Sequence, residues 1–146
     1  MKILILSVSK KDTMYSLASN EYKKRLSRYV DIEIQQIPHS NKSDESDRII
    51  TKVKATDYVI LMDERGSIIK SEAFAEIIDN RMNDSVGRMV IIIGGAYGVS
   101  DKVAERANYT LSFGKMVWPH ALCNVMLLEQ VYRSYTILNG VPYHNE

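Results

Sequence analysis

Hydrophobic and polar positions along the chain alternate between two periods. Lys2–Val8 is a β-rich run and predicts a first strand. Tyr15, Ala18, Tyr22, Leu26 and Tyr29 recur at three- and four-residue spacing, which predicts an amphipathic helix over 15–29. Residues 32–37 read Ile-Glu-Ile-Gln-Gln-Ile before Pro38, a partial alternation expected of a half-buried strand. The most polar stretch, 40–48, reads as a loop leading into a helix. The second half is more apolar. A continuous run over 58–62 predicts a buried strand that ends at Asp63-Glu64-Arg65-Gly66. Ser71 is placed to cap a helix running to about Met82. Another continuous run, 89–93, leads straight into Gly94-Gly95-Ala96-Tyr97-Gly98. Ser100 is placed to cap a short helix to about Ala107, and 109–113 is a short strand. Pro119 suits the first turn of a last helix reaching about Tyr135.

Strands alternating with helices predict an α/β fold with a mostly parallel sheet flanked by helices on both faces. Ligands in such sheets bind beyond the carboxyl ends of the strands. Three predicted loops share that edge: 63–66, 94–98 and 114–118. The last helix is apolar on more than one face, with Val125-Met126-Leu127-Leu128 in succession. It must lie inside the protomer or pack on a second chain, and a two-fold homodimer is the better expectation at this size.

The length of 146 residues predicts one domain, 1–146. The longest aliphatic or methionine run, 89–93, is far short of the roughly 20 residues of a membrane span. Ile3–Leu6 followed by Lys10-Lys11 does not read as a secretory signal, so the expected compartment is the cytoplasm. One cysteine, Cys123, allows neither an internal disulfide nor a multi-cysteine zinc site. His39, His120 and His144 do not stand at metal-ligand spacing, and no metal is expected. A net charge of +1 argues against holding nucleic acid by bulk charge alone.

The glycine loop is neither a Walker loop nor a dinucleotide fingerprint, and no Gly-x-Ser-x-Gly elbow is present. Its glycines suit close approach to a flat ligand, and a tight strand-to-helix turn explains them equally well. Asp63 and Glu64 at a strand end suit acid, base or ribose-binding roles, though turn formation is the commoner reason. His120, in the first helical turn, should be biased toward neutral imidazole by the helix dipole. A neutral imidazole there can accept a proton, while a hydrogen-bonded interface histidine is the plainer explanation. Arg133 is a surface arginine or an RNA contact.

Several segments, in order, resemble the ribosomal RNA large-subunit methyltransferase H family of the SPOUT superfamily. They are Leu61-Met62-Asp63-Glu64-Arg65-Gly66, Ile92-Ile93-Gly94-Gly95-Ala96-Tyr97-Gly98, Leu111-Ser112-Phe113-Gly114-Lys115-Met116, Trp118-Pro119-His120, Leu128-Glu129-Gln130-Val131-Tyr132-Arg133 and Pro142-Tyr143-His144. The resemblance covers essentially the whole chain. It implies a trefoil knot in the C-terminal half, an exception to ordinary connection rules, a homodimer, and S-adenosylmethionine as cofactor. By position, Met62, Gly94, Phe113, Gly114, Lys115, Met116, Val117 and Trp118 would contact it. The implied reaction methylates N3 of a pseudouridine in a 23S rRNA hairpin loop of the assembled ribosome. His120 is the first candidate for accepting the N3 proton. Tyr143 and His144 are second, since a tail can reach the partner's site. Arg133 and Lys115, with Lys10 and Lys11, are the basic candidates for RNA.

Two positions depart from the family pattern. Asn124 stands where arginine is usual, as does Asn145 directly after the Tyr-His pair, and both arginines would suit phosphate contacts. The chain is also shorter before Tyr58. These departures motivate an alternative, a non-catalytic RNA- or ribosome-binding paralogue with the same fold. A generic nucleotide-binding α/β domain is a third reading, and it leaves Trp118-Pro119-His120 and Tyr143-His144 without a purpose.

Overall fold

A computed structural model describes residues 1–10 and 14–145; Lys11, among the basic candidates, lies outside the described residues. The elements are β1 (Lys2–Val8), α1 (Ser16–Leu26), β2 (Asp31–Ile37), α2 (Lys42–Thr51), β3 (Tyr58–Ile68), α3 (Ser71–Asn83), β4 (Arg88–Ile93), α4 (Asp101–Arg106), β5 (Tyr109–Ser112) and α5 (His120–Leu138). The five strands form one sheet in the order β2-β1-β4-β3-β5, every neighbouring pair parallel.

Period-two alternation sorts the strand residues onto two faces. Ile3, Ile5, Ile60, Met89, Ile91 and Ile93 join Phe74 and Ile78 of α3 and Leu127, Leu128, Val131 and Tyr135 of α5 in one core. The residues between them, Leu4, Leu6, Val8, Val59, Leu61, Val90 and Ile92, pack on the other face with Ile49 of α2 and Val103 of α4. Both faces are covered, which is why the central strands read as unbroken apolar runs. No helix among the described residues is long and apolar enough to cross a membrane.

Several local expectations change. Residues 63–66 are not a terminal loop: β3 continues to Ile68. Its pairing with β5 is broken by a bulge, so that Met62 and Ser67 both face Leu111. Gly66 makes this possible, since a Cβ there would stand 2.7 Å from the Thr110 carbonyl carbon and oxygen. The polar stretch is itself helical from Lys42. Asn41 caps it, its side-chain oxygen accepting the Asp44 N–H at 2.8 Å. Ser71 does not cap α3; Lys70 occupies the cap position, and the Ser71 hydroxyl donates to Gln130 Oε1 at 2.7 Å. Ser100 holds the cap position of α4 but its hydroxyl makes no cap bond, and its N–H donates to Ser46 Oγ at 2.9 Å. α1 stops at Leu26, short of Tyr29, and α5 runs on to Leu138.

Candidate functional site

The carboxyl ends of β3, β4 and β5 open onto a cleft of about 880 Å³. Met62, Asp63, Glu64 and Arg65 line it from β3, and residues 93–99 from the β4 end. Phe113, Gly114, Met116, Val117 and Trp118 line it from the segment after β5, and His120 and Cys123 from α5. The three segments expected at this edge therefore converge. Of the cofactor positions named from the family pattern, Lys115 alone is outside the cleft wall, its side chain exposed. Met116 and Val117 are 73% and 85% exposed, at the mouth.

The glycine loop is a tight turn, Gly98 N–H donating to Gly95 O at 2.9 Å with Gly98 at φ +79°. Gly95 answers to the protein's own packing. A Cβ there would lie 2.6 Å from Oε1 of Glu45, a side chain buried beneath the turn. The turn is tight, and it also forms one wall of the cleft. Tyr97, at its corner, is 83% exposed.

Asp63 is engaged with Arg65, accepting its backbone N–H at 2.8 Å, Nε at 3.1 Å and Nη2 at 2.9 Å. These bonds, set against partial burial, hold its carboxyl below the usual aspartate value. Its carboxylate is thus engaged locally, with Arg65 at the bulge of β3. His120 is shifted toward neutral imidazole, as expected, but for another principal reason. Burial pushes it down and the nearby His39 adds to this, while Glu45 works the other way. Its Nδ1 is buried without a hydrogen-bond partner, as are Trp118 Nε1 and Asn124 Oδ1. Burial also pushes the Cys123 thiol up.

Asn124 is turned inward rather than toward solvent. Its Nδ2 donates to Ser7 Oγ at 2.9 Å and to His120 O at 3.2 Å, tying α5 to the end of β1. The position where an arginine contact with phosphate was expected belongs to a half-buried polar cluster behind the cleft.

Tyr143 and His144 lie elsewhere in this chain. Tyr143 Oη donates to Glu129 Oε1 at 3.0 Å, and its ring meets Tyr132 edge-on at 4.8 Å. His144 Nε2 is 2.8 Å from Glu72 Oε1, and its Nδ1 is 3.0 Å from Arg133 Nη1. Arg133 also donates to Glu129 Oε1 through Nη2 and Nε, at 2.6 and 3.0 Å, and stacks over Tyr143. Its guanidinium is committed to pinning the tail. From His120 to Glu129 and Arg133 the helix rises roughly 14–20 Å, so one protomer does not unite the tail with the cleft. Beside the tail a second cavity of about 390 Å³ includes Tyr22, Phe74, Val125, Met126 and Glu129, with Phe113 shared between the two.

Sequence reading passed over Lys42 in the cleft wall and Glu45 and His39 behind it. A usable signal was the i, i+4 spacing of Glu45 and Ile49, which places a carboxylate on the buried side of a polar helix.

An all-parallel α/β sheet with one mixed apolar and polar cleft at its carboxyl edge defines a protein built to hold a small ligand there. A family model described as "Predicted SPOUT methyltransferase" matches residues 1–144. The ribosomal RNA large subunit methyltransferase H of Clostridium botulinum (strain Alaska E43 / Type E3) is 41% identical, covering 99% of both chains. Its counterpart H 1 from Clostridium perfringens (strain SM101 / Type A) is 40% identical at the same coverage. The chain belongs to the SPOUT methyltransferases, within the ribosomal RNA large subunit methyltransferase H family. The first of these alignments runs over 158 positions against 146 residues here, in keeping with a chain shorter than the family pattern.

Proposed function

We propose that this protein uses S-adenosylmethionine to methylate N3 of a pseudouridine in 23S rRNA of the assembled ribosome, working as a homodimer with the knotted threading of its family in the cytoplasm. The observation that carries this reading is the cleft, which gathers every family-pattern cofactor position except Lys115. The residues present suit the cofactor. Met62, Phe113, Met116, Val117 and Trp118 offer apolar surface for a ring, and the backbone at Gly94 and Gly114 offers polar edges. The buried, unpartnered Trp118 Nε1 is a donor in want of an acceptor. When bound, the cofactor supplies an electrophilic sulfonium methyl.

The chain's own part is orientation and proton handling. His120 lines the cleft and is biased toward the neutral form, so it is suited to accept the N3 proton. Tyr143 and His144 act as second candidates from the partner protomer, a role consistent with their distance from His120 within one chain. Lys42, Lys10 and Lys115 are basic side chains for phosphate contact; Arg133 serves RNA indirectly, by holding the tail.

The test is transfer of labelled methyl from S-adenosylmethionine to ribosomes lacking the modification, with free 23S rRNA in parallel. Label at a pseudouridine N3 in assembled ribosomes alone is the expected result. Cofactor binding with no label on either substrate would refute the assigned target, and absence of cofactor binding would favour the non-catalytic paralogue. Replacing His120 with Asn should abolish the acid limb of the single-turnover rate; an unchanged rate across pH would remove His120 as proton acceptor.

A further inference from the structure

Behind His120 the structure holds a second imidazole and a buried carboxylate that no step above uses. Glu45 lies in the first turn of α2 and is 4% exposed. Its Oε2 accepts the Ser40 N–H at 2.8 Å and stands 3.7 Å from His39 Nδ1. Its Oε1 sits directly beneath Gly95. The His39 ring meets the His120 ring edge-on, with centroids 6.3 Å apart. A buried carboxylate needs compensation, and here it has one backbone N–H and one imidazole. The row therefore runs from beneath the glycine turn, through His39, to the cleft wall.

We propose that Glu45 and His39 are positioning residues for His120, the buried carboxylate holding His39 edge-on against the His120 ring at the back of the cleft. The inference rests on the reading of His120 as proton acceptor. His39 stands against the Glu45 carboxylate and reaches solvent, with 38% of its side chain exposed. His120 is the desolvated member. When His120 takes the proton from N3, the buried Glu45 carboxylate is the anion behind it that favours the charged ring.

The other charged groups facing His120 come from several elements. Lys42 of α2 lines the cleft, as do Asp63, Glu64 and Arg65 of β3, and Cys123 is the titratable neighbour on α5. Asp63 and Arg65 neutralise each other. β1 contributes only the hydroxyl of Ser7, through Asn124. Of the groups around it, His39 and Glu45 act on His120 in opposite senses.

The decisive measurement is the titration of the His120 ring by NMR in the full-length protein without cofactor, assigned with His120→Asn. Glu45→Gln should lower its midpoint and His39→Asn should raise it, each by about half a pH unit or more. Midpoints unchanged in both variants, or moved the same way, would overturn the proposal. Circular dichroism checks that each variant folds, and the half-exposed His39 supplies the sign even if Glu45→Gln does not fold. Because no turnover is read, failure here is distinct from failure of the acceptor role, which the His120→Asn rates decide.

Discussion

Replacing Arg88 with Met isolates one of the fold's most buried ion pairs. Asp57, its side chain 2% exposed, receives Arg88 Nη2 at 2.7 Å and Nε at 3.0 Å, a bidentate pair. It also accepts the Lys54 N–H at 2.7 Å, and Arg88 donates onward to Lys52 O at 2.9 Å. The pair joins the amino ends of adjacent strands, Asp57 just before β3 and Arg88 opening β4. Removing one partner of a fully buried pair costs about 3–5 kcal/mol. The Arg88 side chain is 22% exposed, so water softens the loss and about 3 kcal/mol is expected. Burial alone would push the Asp57 carboxyl up, but the Arg88 bonds and charge and the Lys54 N–H together hold it below its ordinary 3.8. A carboxyl lowered by folding stabilises the protein above its unfolded value, and that contribution fades as pH falls through the folded value. Urea unfolding at fixed protein concentration should therefore show a deficit of about 3 kcal/mol for Arg88→Met at pH 7. The deficit should shrink as pH falls below the ordinary carboxyl value of 3.8 and through the lower folded value, where Asp57 takes up a proton. A deficit under about 1 kcal/mol at pH 7 would place the pair among ordinary surface bridges. A deficit independent of pH would deny Asp57 its part.

Three further outcomes are expected. Gly66→Ala puts a Cβ 2.7 Å from Thr110 backbone that cannot swing aside, so thermal unfolding should show a loss of about 2 kcal/mol; an unchanged Tm would mean the bulge is plastic. Cys123 lines the cleft with its thiol raised by burial, so modification by a thiol-specific disulfide reagent at pH 7 should be slower than for a free thiol. S-adenosylmethionine should slow it further, and a rate indifferent to cofactor would place the ligand elsewhere. Burial pushes the Tyr135 phenol up to about 12, so ultraviolet titration should leave this tyrosine un-ionised at pH 11; in a Tyr135→Phe variant the signal developing by pH 11 should be unchanged.

The layers of this fold were legible in the sequence because burial on both faces leaves a plain mark. The runs 58–62 and 89–93 have no polar interruption, and Pro119 marks where α5 begins. β3 was cut short because Asp63-Glu64-Arg65-Gly66 has turn composition. What carries the strand past Met62 is the pairing of Ser67 and Ile68 with β5, a long-range contact that local composition does not encode. Ser71 and Ser100 failed as side-chain caps for a similar reason. The Ser71 hydroxyl goes to Gln130 on α5, and the Ser100 N–H is met by Ser46 on α2. The cleft segments after β4 and β5 were legible as strand ends, whereas the burial of Glu45 left only its i, i+4 spacing with Ile49 as a mark, the glycine turn folded over it being a long-range contact.

The polar cluster also changes what the two departures from the family pattern mean. Asn145 is exposed, beyond the pinned Tyr143 and His144, where an arginine would be free to meet a phosphate. Asn124 is not such a position. It sits one helical turn after His120, with its amide bonded to Ser7 and to the His120 carbonyl. An arginine there would bring a full positive charge into a half-buried site beside the His120 backbone and Ser7. The neutral amide at 124 instead ties α5 to β1 without adding charge. The substitution is therefore better understood as part of how this chain sets the environment of His120 than as a lost grip on RNA.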